Sequence, residues 1–245
     1  MKLVLCQLYP EHLSIYADRG NVQVIRRRLE WRGLELEERP LRIGERLDPE
    51  AADLYLVGGG QDRDQLLVAE DLQRHRDALH AAVAGGAAVL AVCGGYQLAG
   101  HRYIGQNGEE MPGVGLLDLE TRAGETRMIG DIVCECDLGD GTGPRTLVGF
   151  ENHAGQTLLG AGCEPLARVV SGHGNDGSSG FEGARAGRVL GTYVHGPLLP
   201  KNPWLADWLI ERALARRHGE IELAPLDDGL ELAAAGAAAA RRSSS

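Results

Sequence analysis

The chain has 245 residues, with 25 Lys plus Arg against 35 Asp plus Glu for a net charge of −10, and 43% apolar and 24% charged residues. That balance fits a soluble globular protein of between about one and two domains with a core of its own. The acidity and the sparse aromatics (2 Phe, 3 Trp, 6 Tyr) exclude a general binder of nucleic acid or anionic lipid, and the odd count of 5 Cys reads as reduced thiols in the cytoplasm.

LVLCQL (3–8) is a short apolar run of strand type, too short for a secretion signal. Asn21 is predicted to cap a helix that runs to about Arg32 and stops at Gly33. In it Val22, Ile25 and Leu29 share a face. Residues 34–39 alternate as a second strand. Asp53 to Val57 form a third, which runs directly into Gly58-Gly59-Gly60. One long helix is predicted from about Asp64, with Val68, Leu72, Leu79 and Val83 on one face and Gly85-Gly86 at its end. AAVLAV (87–92) is a fourth, fully apolar strand that ends at Cys93-Gly94-Gly95, and a helix begins near Tyr96.

Continuously apolar strands separated by helices predict an α/β fold: a mostly parallel sheet with helices on both faces. From about Gly113 the pattern changes. ETRMIGDIVCECDL, RTLVGFENHAG and PLARVVSG alternate between Gly-rich turns and predict antiparallel hairpins in the second half. Cys134 and Cys136 fall on one face of such a strand, with the wrong spacing for zinc, and no metal site is expected. RVLGTYV (188–194) is a further apolar strand, ending at His195-Gly196-Pro197. Asn202 is predicted to cap, and Pro203 to open, what is expected as the last helix, with Leu205, Leu209 and Ala213 on one face. From about 233 the chain reads as a tail without a core pattern. The expected organisation is a domain over 1–218 and an extension over 219–245, flexible at its end.

Cys93 is the most informative residue. It lies between a buried strand and a helix, among small neighbours, as a sharp turn that exposes a nucleophile requires. A helix N-terminus favours thiolate, and the Gly94 N–H can face a developing oxyanion. A lone Cys at a strand end is more often structural; the two glycines that follow favour the nucleophile. Of the 8 His, His195 stands out, because it follows an apolar strand and catalytic residues collect at the carboxyl ends of parallel strands. His153, in GFENHAG, is the alternative base, against its reading as a turn histidine. The Gly58-Gly59-Gly60 turn could complete an oxyanion hole through Gly59, although three glycines alone usually mean a loop. Its spacing fits neither dinucleotide nor P-loop motifs.

The Cys turn LAVCGGYQ, the turn GGGQD and the strand-terminal His resemble class I glutamine amidotransferases of the cobyric acid synthase branch. Within that branch, IYADRGNVQVIRRRLEWRG (15–33), VGGGQDRDQ (57–65), GFENHAGQT (149–157), GNDGSSGFEG (174–183) and GTYVHGPLLPKNP (191–203) are similar to the GatD family, the amidotransferase subunits of lipid II isoglutaminyl synthases. The resemblance spans about residues 1–215. It implies hydrolysis of L-glutamine through a thioester on Cys93, with His195 as catalytic histidine and Arg127 holding the substrate. It also implies a heterodimer with a MurT-like Mur-ligase subunit, which uses ATP to activate the D-glutamate α-carboxylate of lipid II. No cofactor is expected on this chain, which carries no ATP-binding signature. The complex would be cytoplasmic and work at the inner membrane face, with no membrane insertion of this subunit.

Two positions depart from the wider pattern. Ala91 takes the first Gly of the usual Gly-x-Cys-x-Gly. Pro197 stands where a Glu usually orients the histidine, so the third member is open: a Cys-His dyad, or a carboxylate from elsewhere, the partner included. Two other readings stand beside the first. The chain could serve a different synthetase, such as one amidating a corrin-like acid, or it could be a catalytically silent scaffold.

Overall fold

The computed structural model describes residues 1–13, 19–60 and 62–240. Its first half alternates strand and helix: β1 (Lys2–Leu8), α1 (Arg19–Glu30), β2 (Glu35–Glu38), β3 (Leu54–Val57), α2 (Asp62–Gln73), α3 (Arg76–Ala84), β4 (Ala88–Val92) and α4 (Gly94–Ala99). The second half is strand-rich: β5 (Arg102–Ile104), β6 (Glu110–Pro112), β7 (Leu119–Cys136), β8 (Arg145–Leu159), β9 (Ala167–Ser171), β10 (Phe181–Glu182), β11 (Ala184–Ala186) and β12 (Val189–Thr192). Three helices close it: α5 (Leu198–Lys201), α6 (Pro203–His218) and α7 (Gly229–Ala240).

The main sheet has the order β11-β12-β4-β3-β1-β2 and is parallel except for the edge strand β11. Every residue of β3, β4 and β12 is buried, which is why these strands read as unbroken apolar runs. Helix α6 packs across β1, β3 and β4, burying Leu205, Leu209, Ala213 and Leu214. Each such leucine stabilises the fold by about 1.5–3 kcal/mol. Helix α4 packs on β4 and β12 with α2 beside it. The second sheet, β10-β9-β7-β5-β6 with β8 paired to β7, is built on the long β7–β8 hairpin. Cys134 and Cys136 both point from β7 into the core, as period two requires.

Several boundaries differ from the sequence reading. Asn21 lies inside α1, not at its cap, and its Oδ1 accepts from the buried Leu199 N–H at 2.9 Å. The single helix predicted from Asp64 is two, α2 and α3, broken at Arg74 and His75. Asp71 accepts there from Tyr9 Oη at 2.9 Å and Arg74 at 2.8 Å, a polar anchor that outweighs helical periodicity. Asn202 precedes α6 without capping it: its amide bridges to Val148, accepting from Val148 N at 3.0 Å and donating to Val148 O at 2.8 Å. The segment expected as a tail from about 233 belongs to α7, an Ala-rich helix that buries none of its residues. Its start is fastened from outside: Arg28, 2% exposed, donates to Asp228 at 2.6 and 2.9 Å and to Asp207 at 2.6 Å. Residues 241–245 lie outside the described residues, as does Gln61 of the GGGQD turn.

Candidate active site

Two residues other than glycine have a positive φ among the described residues, Tyr9 and Cys93, and both follow a strand of the parallel sheet. Cys93 has φ 53° and ψ −109°, a conformation that L side chains avoid and that surrounding structure must enforce. The enforcement is visible. Cys93 N donates to Thr192 O at 2.8 Å, and Gly95 N donates to Gly58 O at 3.0 Å. A Cβ at Gly95 would collide with the Val57 carbonyl, and one at Gly94 with the Gln65 amide. Gly95 is thus required by the close approach of the β3 backbone to the turn, while Gly94 makes room for the Gln65 side chain from α2.

Cys93 opens on a cleft of about 460 Å³ lined by Gly60, Arg63, Gln65, Gln97, Tyr103, Arg127, Asn152, His153, Ala154 and Gly155. Arg127 lies where the β7–β8 register shifts between Ala123 and Met128, and such an irregularity re-aims a side chain. Its Nε donates to Asn152 Oδ1 at 2.6 Å while the guanidinium faces the cleft. Asn152, Gln65 and Gln97 were not singled out from the sequence. Gln97, one turn after Cys93 on α4, had a legible signal in its spacing. Asn152 did not, because its role comes from pairing across the hairpin.

His195 lies three residues past the end of β12, beside the end of β4 that carries Cys93. It is buried, and burial above all, with His153 and Lys201 adding to it, pushes its pKa down to about 4. It is therefore a neutral imidazole at physiological pH, as a proton acceptor must be. Of the two candidate bases, His153 is the one that lines this cleft. The His153 ring is already engaged. Nδ1 donates to Gly155 O at 2.8 Å, and Nε2 faces Glu151 at 3.8 Å. The expectation of a turn histidine does not hold: His153 is buried within β8 and stacked flat on Tyr193. Gly94 begins α4 behind Cys93, and Gly59 lies buried in the turn after β3, next to Gly60 at the cleft. Pro197 precedes α5 and offers no carboxylate.

A strained cysteine at the carboxyl edge of a parallel sheet, opening on a polar cleft, is the arrangement that covalent acyl transfer on an α/β scaffold uses. Residues 4–203 match the CobB/CobQ-like glutamine amidotransferase domain, and the chain belongs to that family, as a glutamine-hydrolysing amidotransferase. It is 35% identical over 233 residues, 95% of this chain and 93% of the other, to the lipid II isoglutaminyl synthase (glutamine-hydrolyzing) subunit GatD of Staphylococcus aureus. The subunit of the same name from Streptococcus pneumoniae is 33% identical, over 93% of this chain and 86% of the other. Among solved structures, PurLQS from Thermotoga maritima superposes with a TM-score of 0.56 at 15% identity, covering 80% of this chain and 88% of that one, which speaks to the fold alone.

Proposed function

We propose that this chain is the glutaminase subunit of a two-protein lipid II isoglutaminyl synthase. The observation that carries the reading is the near full-length similarity to two GatD subunits, joined to an intact Cys93 turn over the cleft. Cys93 Sγ attacks the side-chain amide carbon of glutamine. His195 takes the thiol proton and returns one to the departing ammonia. The Gly94 and Gly59 N–H groups stabilise the tetrahedral oxyanion. Arg127, steadied by Asn152, holds the substrate α-carboxylate. Water then hydrolyses the γ-glutamyl thioester, releasing glutamate and restoring the thiol.

Ammonia set free in water is lost by dilution, so an acceptor must be activated nearby. A MurT-like ligase subunit, bound as a heterodimer, supplies it by using ATP on the D-glutamate α-carboxylate of lipid II; the product is D-isoglutamine. This chain needs no cofactor for its part. The complex works in the cytoplasm at the inner membrane face, reaching lipid II through the partner. A service to a corrin-like acid synthetase is the weaker reading: one probable cobyric acid synthase is 42% identical, but over only 44% of this chain and 23% of its own length.

The test supplies the purified complex with ATP, lipid II and glutamine. Amidated stem peptide with stoichiometric glutamate is expected. With Cys93→Ala, glutamine fails and external ammonium still supports amidation, because the ligase step needs no thiol. A complex that cannot amidate lipid II from either nitrogen source overturns the acceptor while leaving the glutaminase chemistry standing.

A further inference from the structure

Glu182 of β10 is a fully buried side chain that the chemistry above does not use. Its Oε1 accepts twice from the segment that leads to His195: from Thr192 Oγ1 at 2.5 Å and from Tyr193 N at 2.8 Å. Thr192 Oγ1 in turn accepts from Val194 N at 2.9 Å, and His195 N donates to Phe150 O at 2.9 Å. Buried N–H groups need such acceptors, and here two of three consecutive ones depend on a single carboxyl oxygen. Thr192 also faces the nucleophile, because its carbonyl accepts from Cys93 N at 2.8 Å.

The carboxyl is itself clamped. Buried Asn175 holds the backbone on both sides of it: Asn175 N donates to Phe181 O at 2.8 Å, Oδ1 accepts from Gly183 N at 2.8 Å, and Nδ2 donates to Gly183 O at 2.9 Å. Asn175 Oδ1 also accepts from Tyr96 Oη at 3.2 Å, on the helix after Cys93. Gly183 has φ 64°, and a Cβ there would stand 2.4 Å from the Gly191 carbonyl oxygen of β12, so glycine lets the two segments touch. GNDGSSGFEG (174–183) is thus the piece of chain that carries Glu182 to the GTYVHG segment.

We propose that Glu182 is a positioning residue of this active site: its buried Oε1, through Thr192 and Tyr193, fixes the backbone leading to His195 relative to the Cys93 turn that Thr192 also holds. The inference rests on the reading of His195 as the base. The role needs an acceptor oxygen at this place, and it acts on the reaction through His195 alone.

The experiment measures glutamine hydrolysis by the full chain with its ligase partner, for Glu182→Met and Glu182→Gln, each with His195 present and with His195→Ala. Met fills the space without an acceptor oxygen and should lower kcat on the order of 10- to 10²-fold, the scale of a misplaced catalytic group, with little change in KM. Gln keeps Oε1 and should recover most of the loss. With His195→Ala, Glu182→Met should cost little more, because a residue that acts through another falls silent once the other is gone. An unlowered kcat in folded Glu182→Met, a Gln variant as slow as Met, or a full further loss without His195 overturns the proposal. Should Glu182→Met not fold, Thr192→Val against Thr192→Ser decides in the same way, since only Ser keeps the hydroxyl between Glu182 and Val194 N. Amide exchange by NMR gives a reading that needs no activity. Tyr193 and Val194 N–H should be protected in wild type and in Glu182→Gln and should lose protection in Glu182→Met; fast exchange in wild type overturns the proposal. A silent Glu182→Met beside a slow His195→Ala sinks this proposal alone. A His195→Ala chain at the wild-type rate removes the base from the functional reading, and the proposal falls with it.

Discussion

Phe150 and His195 exchange both backbone hydrogen bonds, Phe150 N to His195 O at 3.0 Å and His195 N to Phe150 O at 2.9 Å, and their rings meet edge-on with centroids 5.9 Å apart. The segment after β12 would otherwise be a loop between a sheet and a helix. This bridge makes it an extension of β8. The histidine is therefore held by the second sheet and the cysteine by the first, and the cleft forms where the sheets meet. That division of labour lets a residue past the end of its strand be buried and fixed at once.

Cys93 should be the thiol that reacts. Burial pushes the Cys6 and Cys136 thiols up to about 12 and raises Cys134 and Cys163 as well, so these four are poor nucleophiles at neutral pH. Diazo-oxo-norleucine is expected to label Cys93 and spare them, as read by peptide mass spectrometry. Cys93→Ser should abolish glutamine hydrolysis with an unchanged melting transition. Label found mainly elsewhere would remove Cys93 from the chemistry.

His195 should leave a mark on both rate and stability. His195→Ala should lower glutaminase turnover by at least ~10²-fold, the usual scale for a general acid–base group. Its folded pKa near 4 lies below the ordinary 6.5, so within that window the unfolded chain binds a proton that the folded chain refuses. Stability from this group is full above about 6.5 and is lost as pH falls toward 4, on the order of 3 kcal/mol in all. His195→Asn removes the titrating group and should flatten that part of the acid denaturation curve. An equally steep curve in the variant would show that the loss arises elsewhere.

Arg127 should matter for binding more than for turnover. A guanidinium can grip a carboxylate with two parallel hydrogen bonds, and Lys cannot reproduce the fork. Arg127→Ala should raise KM for glutamine at least ~10-fold, the effect of losing roughly one charge-assisted hydrogen bond. Arg127→Lys should recover only part of it. Asn152→Ala should act in the same direction and more weakly, by freeing the arginine Nε that it now holds at 2.6 Å. Wild-type glutamine kinetics in Arg127→Ala would take the residue out of the site.

Much of the parallel sheet was legible because its strands are buried on both faces, which leaves the unbroken apolar runs of β3, β4 and β12. The Cys93 turn was legible for a related reason, since close approach of the Val57 backbone leaves room only for glycine at position 95. What escaped was set by partners distant in sequence. Asp71 breaks one apparent helix into two through Tyr9, 62 residues away, and Asn202 turns from capping α6 to Val148, 54 residues away. No local pattern carries such pairings. His153 was visible as a residue but not in its packing, because its buried place depends on Tyr193, from the segment after β12, stacking on it.

The attachment of α7 gives a last prediction. This helix buries no side chain, so apolar burial contributes little to holding it. Its N-terminal end is tied by Asp228 to Arg28, which is also bound by Asp207, itself shared with Arg32 at 2.7 and 3.0 Å. Asp228→Asn removes one partner of a cation that keeps another, and Asp228 is partly exposed. That change should cost only about 1 kcal/mol in global stability. Arg28→Ala empties a buried site beneath α1, α6 and the start of α7 together, and should cost about 3–5 kcal/mol. Both variants should expose residues 219–228 to protease, while Arg28→Ala alone markedly lowers the melting temperature. Equal loss of stability in the two would mean that Asp228, not Asp207, is the partner that keeps Arg28 buried.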